Sequence, residues 1–200
     1  MFNERYGLQR AAIAGTKSMT RRSVPEKWQQ PLTEIFEACN FDYSEFWQHP
    51  TVQLFMKEKA PYKVGEEVAI AQSYKDVYDS IKNPCELFSD RLFNSLLKEH
   101  KGWNNKMFVK AEFMLNFIQF TDIKIERLWD IREEDCLKEG IFQLGDPFHE
   151  DRVEDFGFFG ATRHYKTAIS AFAALIDKVS GRGTWDRNPW VFAYTFELVK

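Results

Sequence analysis

Residues 15–22 read Gly-Thr-Lys-Ser-Met-Thr-Arg-Arg and follow a run with the apolar spacing of an amphipathic helix. Gly15 predicts the end of that helix, because glycine takes a left-handed backbone conformation without steric cost. Lys17 and Thr20 stand three positions apart, and side chains on a regular strand alternate between its faces. Both residues can serve one site only if Lys17 lies in a turn and the strand begins near Met19. The alternative is a helix cap followed by a solvated basic strand.

Alternation of apolar and polar residues predicts a mostly antiparallel sheet. The strands are expected at residues 18–23, 66–72, 107–112, 117–127 and 190–198. Apolar residues at helical spacing predict helices at 4–14, 132–138 and 164–179. The predicted fold class is therefore α+β.

The composition fits one globular domain. Of the 200 residues, 44% are hydrophobic and 16% aromatic, which is enough to bury a substantial core. The formal net charge of −3 excludes a global basic field that would drive non-specific binding to duplex nucleic acid. No apolar run approaches the roughly 20 residues that cross a bilayer. Three scattered cysteines and no signal peptide fit a reducing compartment, so we expect a soluble, cytoplasmic protein without membrane contact.

The histidines and cysteines show no metal-site spacing. The four histidines are isolated in the chain, and the three cysteines form no C-x-x-C pair. No G-x-S-x-G motif of a serine hydrolase occurs either. We therefore predict neither a metal ion nor a cofactor.

Five sequence blocks occur in the order found in one protein family. The first joins residues 2–8 (FNERYGL) to the stretch at 15–22, and the others cover 62–74, 121–131, 133–141 and 188–198. Together they make up just under a third of the chain and resemble the ASCH domain, in particular its phage and prophage branch. The resemblance implies a PUA-like fold, which is a small β-barrel with flanking helices. It also implies RNA or a small nucleoside as the partner.

The resemblance implies a single ASCH domain over residues 1–200 that carries three insertions. They fall at about 26–60, 76–104 and 142–162. The first is expected to hold short helices or a loop excursion at 33–60, the second a helix within 75–101, and the third a loop over 142–160. Packed on the barrel, they would either form a lid over a cleft or block it.

The resemblance extends to enzymes that hydrolyse N4-acetylcytidine and carry a G-x-K-x-x-T motif. Lys17 and Thr20 match the lysine and threonine of that motif, and Glu139 matches the catalytic glutamate. In this interpretation Thr20 attacks an amide carbonyl after Lys17 removes its proton. Glu139 either gives a proton to the leaving nitrogen or holds Lys17 in an ion pair. Such a pair raises the pKa of Lys17, whereas burial or a neighbouring arginine lowers it. The alternative is that Lys17 and Glu139 are ordinary surface residues.

Three further residues are predicted to bind the ligand, namely Arg21, Arg22 and Tyr74. The two arginines are expected to be exposed on opposite faces of the strand, one contacting a phosphate and the other a carboxylate such as Glu126. Tyr74 offers an aromatic face for stacking a base, an interaction of about 1–3 kcal/mol. Many members of the branch have Arg-Glu-Thr-Trp where this chain has Ala-Gln-Ser-Tyr at 71–74, so both charges are missing here.

Three functions stay open at the level of sequence, and whether the protein is an enzyme is one of the open questions. The first is an RNA- or nucleoside-binding protein with amidohydrolase activity on N4-acylated cytidine. It requires Lys17, Thr20 and Glu139 within about 8 Å of one another at the mouth of the barrel. The second is a non-catalytic RNA-binding module in which Lys17 and the two arginines contact phosphates. The third is a phage-encoded interaction module whose inserted aromatic helices bind another protein.

Overall fold

A computed structural model of the protein describes residues 2–80, 98–145 and 155–199. Within these ranges the helices are Leu8–Ile13 (α1), Gln29–Ala38 (α2), Tyr43–Gln48 (α3), Pro50–Lys59 (α4), Tyr74–Ser80 (α5), Glu133–Lys138 (α6), Ala168–Ser180 (α7) and Thr184–Arg187 (α8). The strands are Met19–Ser23 (β1), Glu67–Ala69 (β2), Phe117–Arg127 (β3), Phe142–Leu144 (β4), Asp155–Gly157 (β5) and Trp190–Val199 (β6). None of these helices combines the length and the apolar character needed to cross a membrane.

Four strands form one antiparallel sheet in the order β1-β6-β3-β2. The long strands β3 and β6 lie at its centre, with a register shift between Phe120 and Asp122. The sheet curls into a half-barrel, and its open seam lies between the edge strands β1 and β2. The predicted α+β class and the mostly antiparallel sheet are confirmed.

Helices from the segment 26–60 pack against one face of the half-barrel. Trp190 and Phe192, two positions apart on β6, point to this face and are fully buried. The ring of Phe46 stacks on Trp190 at 4.9 Å between centroids, and the ring of Phe55 stacks on Phe192 at 5.6 Å. This segment therefore completes the core beneath the sheet, because its aromatic side chains cover strand residues that would otherwise face water.

Helix α7 confirms the prediction for 164–179, but it begins at Ala168. Thr167 caps it: the Thr167 hydroxyl accepts a hydrogen bond from the Ser170 amide (3.0 Å), and the Thr167 amide donates to the Ser170 hydroxyl (3.3 Å). This reciprocal pair satisfies backbone donors that the first turn leaves without a partner, so the helix starts there. The buried stripe of α7 includes Phe172 and Leu175.

The strand predicted at 107–112 is wrong. Two 3₁₀ turns, Lys106–Phe108 and Ala111–Phe113, occupy this region instead. The amide of Lys110, which lies between them, donates to the Tyr74 hydroxyl (3.0 Å) rather than to a neighbouring strand. The alternation of apolar and polar residues over these few positions therefore arises because an irregular segment packs its apolar side chains against the small core around Tyr74.

The loop predicted at 142–160 is also wrong, because β4 and β5 pair as an antiparallel hairpin, with Phe142 opposite Gly157. Residues 146–154 lie outside the described part of the chain. The helix predicted within 75–101 begins as α5, and residues 81–97 likewise lie outside the described residues.

Candidate active site

Gly15 ends the first helix as predicted. Its φ is +72°, and the amide of Lys17 donates to the carbonyl of Ala11 (3.0 Å), so the chain turns directly after α1. Strand β1 begins at Met19, also as predicted. Lys17 therefore lies in the turn, and strand alternation does not direct its side chain away from Thr20.

The turn is attached to the end of α6. The amide of Ser18 donates to the carbonyl of the last residue of α6 (3.0 Å). Gly140 follows with φ +102°, and a Cβ at this position would lie 2.9 Å from Cδ2 of Leu8. The positive φ favours glycine, and the missing Cβ leaves room for the Leu8 side chain, so the chain can turn here with Glu139 beside the Lys17 turn.

The ammonium group of Lys17 has all of its hydrogen bonds made within the protein. Nζ donates to the carbonyl of Met19, to the carbonyl of Glu139 and to Oε2 of Glu139, each at 2.7 Å. The residue is 2% exposed, and the ring centroid of Phe2 lies 5.7 Å from Nζ. Because an ammonium has three N–H donors, none is left for solvent. Lys17 is therefore not an ordinary surface lysine.

Glu139 shares a buried ionic cluster with Arg21. Oε1 of Glu139 accepts from Nη1 of Arg21 (3.1 Å), while Nε and Nη2 of Arg21 donate to Oε1 of Glu126 at 2.9 and 2.6 Å. Oδ2 of Asp135 lies 3.5 Å from Nη2. One guanidinium thus stands among three buried carboxylates, and Glu139 is held from both sides. It is not a solvated helix-end residue.

The prediction that Arg21 is exposed is wrong, since only 6% of its surface is accessible. Strand β1 lies against α6 on that side, and the ring centroid of Phe172 from α7 lies 6.0 Å from Cζ. The expected carboxylate partner Glu126 is the one observed. Arg21 and its half-buried neighbour Arg22 both line one cavity, but carboxylates of the protein already engage the Arg21 guanidinium, so it is not placed to contact a phosphate.

The cluster shifts the pKa values of its members. Burial lowers the pKa of Lys17, and the attraction of Glu139 opposes this shift without reversing it. Burial alone would raise the pKa of Glu139, but Lys17 and Arg21 together hold it below its ordinary value. Burial would likewise lower the pKa of Arg21, yet Glu139 and Glu126 raise it. Lys17 is thus the one of these three whose proton is held less firmly than in water.

Thr20 lies where two cavities meet. One, of about 200 Å³, adjoins the Lys17–Glu139 pair, and the other, of about 120 Å³, lies in the seam between β1 and β2. Both are lined by Phe2, Thr20 and Arg22. Thr20 itself is 7% exposed. A ligand that fills both cavities would therefore touch Thr20.

The cavity walls come from residues that the sequence did not single out. Apolar side chains of α7 and α1 line the larger cavity, namely Phe172, Leu175, Ile176, Val179 and Leu8. The smaller one has an aromatic wall in which Tyr62 stacks on Phe120 at 4.6 Å between ring centroids. The helical stripe of α7 predicts burial, but no local signal distinguishes a cavity wall from a filled core.

Tyr74 lies away from this site, in a small separate core. It is 1% exposed, and its ring packs against His100 and Phe113 at 5.5 and 5.6 Å. Both faces are unavailable for stacking a base in this arrangement, because the residue begins α5 and points inward. The structure therefore brings together Lys17, Thr20, Glu139 and Arg22, but not Tyr74.

The carboxylates of the cluster face cations that belong to the protein itself. Arg21 occupies the centre of the group formed by Glu126, Asp135 and Glu139. In the part of the chain that the structure describes, no group of three or more histidine, cysteine or acidic side chains could hold a metal ion.

The ordered blocks of the sequence converge on this site, since the first carries Lys17 and Thr20 and the fourth carries Glu139. No family model, curated protein or solved structure matches the chain. The resemblance to ASCH domains therefore stays an expectation from the sequence blocks.

Proposed function

We propose that the protein hydrolyses the amide bond of an N4-acylated cytidine nucleoside. The observation that carries this proposal is the buried Lys17–Glu139 pair, joined at 2.7 Å, in the wall of a cavity that Thr20 also lines. A hydroxyl, an amine of lowered pKa and a carboxylate in one cavity are the groups that acyl transfer through a threonine ester requires.

Thr20 supplies the attacking oxygen in this scheme. An alcohol is a weak nucleophile until a base takes its proton, and Lys17 is the basic group proposed for that step. All three N–H groups of Lys17 are hydrogen-bonded, so it must first lose a proton, and of its three acceptors the Glu139 carboxylate is the one that can take up a proton. Burial favours this transfer because two charges become two neutral groups, whereas the Arg21 guanidinium opposes it by stabilising the ionised carboxylate.

The reaction then proceeds in balanced steps. A bond forms between Oγ1 of Thr20 and the acyl carbon, while the hydroxyl proton passes to the Lys17 amine. The bond between the acyl carbon and N4 breaks, and the proton on Glu139 passes to the departing nitrogen. Water finally hydrolyses the threonine ester, which releases a carboxylic acid and restores the hydroxyl.

The two cavities fit the two parts of such a substrate. The aromatic wall of Tyr62 and Phe120 suits a pyrimidine ring, and the apolar wall from α7 suits the methyl end of an acyl group. Their volumes, about 200 and 120 Å³, together fall at the lower end of the roughly 300–1,000 Å³ typical of small-molecule sites.

Release of acetate from N4-acetylcytidine tests the proposal, together with a panel of other acylated nucleosides. We expect turnover by the wild type and a loss of at least about a hundredfold in Thr20→Ala, because Thr20 supplies the attacking oxygen in this scheme. Ser23→Ala is the matched control, since Ser23 is a hydroxyl residue of the same strand and lines the same cavity. Equal rates for wild type and Thr20→Ala on every substrate would contradict the proposal.

One observation favours a second function, a non-catalytic nucleoside-binding module. The complete set of hydrogen bonds around Lys17 also suits a purely structural ion pair. Calorimetry with cytidine and N4-acetylcytidine distinguishes the two. Binding that Tyr62→Ala weakens, without turnover by the wild type, would favour the module.

A further inference from the structure

A second polar groove lies toward the other end of β6 from Thr20. It has a volume of about 450 Å³ and lies between the start of α2, the end of β3 and α8. Thr20 pairs with Tyr194, whereas the groove begins beside Trp190, four positions earlier on β6. That separation is about 13 Å along the strand, so the groove is distinct from the candidate active site.

Arg127 is preorganised in this groove. Its Cζ lies 5.3 Å from the centroid of the Trp190 ring, and Trp190 is fully buried. Stacking on an aromatic ring fixes the plane of a guanidinium while its N–H edge stays available. Among the described residues, no carboxylate forms an ion pair with Arg127.

Arg187 lines the same groove and is exposed. Its Nη2 donates to the hydroxyl of Thr184 (3.1 Å), which orients the side chain. Within the described ranges, no carboxylate pairs with this guanidinium either. The groove therefore holds two guanidinium groups whose charge the described residues do not neutralise by direct contact.

The neutral polar groups of the groove already have partners. Nε2 of Gln29 donates to the carbonyls of Val24 (2.8 Å) and Trp190 (3.1 Å), and its Oε1 accepts from the Trp190 amide (2.7 Å). The Thr33 hydroxyl donates to the Gln29 carbonyl and accepts from Nε1 of Trp190, both at 2.9 Å. These bonds build a rigid floor, so the arginines are the main donors left for a ligand.

We propose that Arg127 and Arg187 together bind a phosphoryl group in this groove. Guanidinium forks match the oxygens of phosphate, and two of them offset the charge of a phosphodiester or monoester. Glu26 also lines the groove, and its carboxylate weakens binding of an anion. The phosphoryl group could belong to single-stranded RNA or to a free nucleotide, and the proposal does not depend on the activity proposed for Thr20.

Titration calorimetry with inorganic phosphate, at constant ionic strength, tests the site. We expect Arg127→Met and Arg187→Met each to weaken phosphate binding at least tenfold, and Glu26→Gln to strengthen it. Methionine keeps an apolar stem over the Trp190 ring, so the fold is expected to survive. Arg163→Met is the matched control: Cζ of Arg163 lies 5.1 Å from the Tyr165 ring centroid, outside the groove, and phosphate binding should not change.

The source of the phosphoryl group follows from a second titration, with a labelled single-stranded RNA and with cytidine monophosphate. If RNA is the ligand, the slope of log K against log salt becomes shallower by about 0.7 for each arginine removed. If a nucleotide is the ligand, the monophosphate binds at least as tightly as the RNA. Equal losses in Arg163→Met and the two groove variants, or no loss in Arg127→Met and Arg187→Met, would overturn the proposal. Should Arg127→Met fail to fold, Arg187→Met decides the question alone.

Discussion

Two lysine–carboxylate pairs of this protein differ in almost every respect except their chemistry. Lys17 pairs with Glu139, 122 positions along the chain, and the two side chains are 1% and 6% exposed. Lys75 pairs with Asp79 one turn along α5, and those side chains are 53% and 55% exposed. Burial lowers the pKa of Lys17, whereas the hydrogen bond that Lys75 donates to Asp79 raises the pKa of Lys75.

The surroundings of an ion pair decide what it contributes to the stability of the fold. Water screens Lys75 and Asp79 and would solvate either one alone, so the fold depends little on them. Lys17 and Glu139 have left water, and each would remain as an isolated buried charge without the other. The buried pair therefore joins the turn before β1 to the end of α6. The same burial and pairing shift the pKa values of Lys17 and Glu139, the two ionisable groups proposed for catalysis.

The largest effect is expected from Arg21→Met. This change leaves Glu126 and Glu139 buried without their shared cation, and it should lower the free energy of unfolding by about 3–5 kcal/mol. Urea denaturation measures the loss, with Lys75→Met as the exposed control whose midpoint should not move. Equal losses in the two variants would show that the buried cluster does not stabilise the fold.

A smaller effect is expected from the coupling between Lys17 and Glu139. A double-mutant cycle of Lys17→Met and Glu139→Gln should give an interaction energy of about 1–3 kcal/mol, because the second change removes the charge that the first leaves alone. The same cycle with Lys75→Met and Asp79→Asn should give no measurable coupling. Equal interaction energies in the two cycles would show that burial does not strengthen the coupling between Lys17 and Glu139.

The smallest effect concerns acid. The pKa of Glu139 is lower in the folded protein than in the unfolded chain, so the unfolded chain takes up this proton first as the pH falls. Its stabilisation is complete above the ordinary carboxyl range near pKa 4.3 and is lost as the pH drops toward the lower folded value, by at most about 1.4 kcal/mol per pH unit.

Urea denaturation at a series of pH values measures this dependence. Glu139→Gln should flatten the fall of the unfolding free energy below about pH 5. Glu134→Gln, an exposed carboxylate on the same helix, should leave the slope as in the wild type. If Glu139→Gln left the slope of the unfolding free energy against pH unchanged, Glu139 would not contribute to the loss of stability in acid.

Local patterns predicted those parts of the fold that depend on neighbouring residues. The turn at Gly15 follows from backbone sterics. The start of β1 follows from the requirement that Lys17 precede the strand, so that Lys17 and Thr20 can face the same site. The long strands β3 and β6 and helix α7 carry enough periods of their pattern to be recognised. Short segments fail this test, as the wrong predictions at 107–112 and 142–160 show.

The sequence did not predict which polar side chains are buried, because their burial depends on elements that are distant in the chain. Arg21 and Arg22 are adjacent, and alternation predicts only that they face opposite ways. Arg21 is buried because α6, more than 100 positions later, lies against that side of β1. Tyr74 is buried by the coiled segment around Phe113.

Local sequence patterns were sufficient to predict the class of fold, the turn that presents Lys17 and the residue types of the candidate site. Those properties follow from backbone sterics and side-chain periodicity over a few residues. Long-range packing places Lys17, Glu139 and Arg21 in one buried cluster, sets Thr20 at the border of two cavities and puts Tyr74 elsewhere. Each of these depends on which surfaces cover one another, and contacts between elements far apart in the chain set that arrangement.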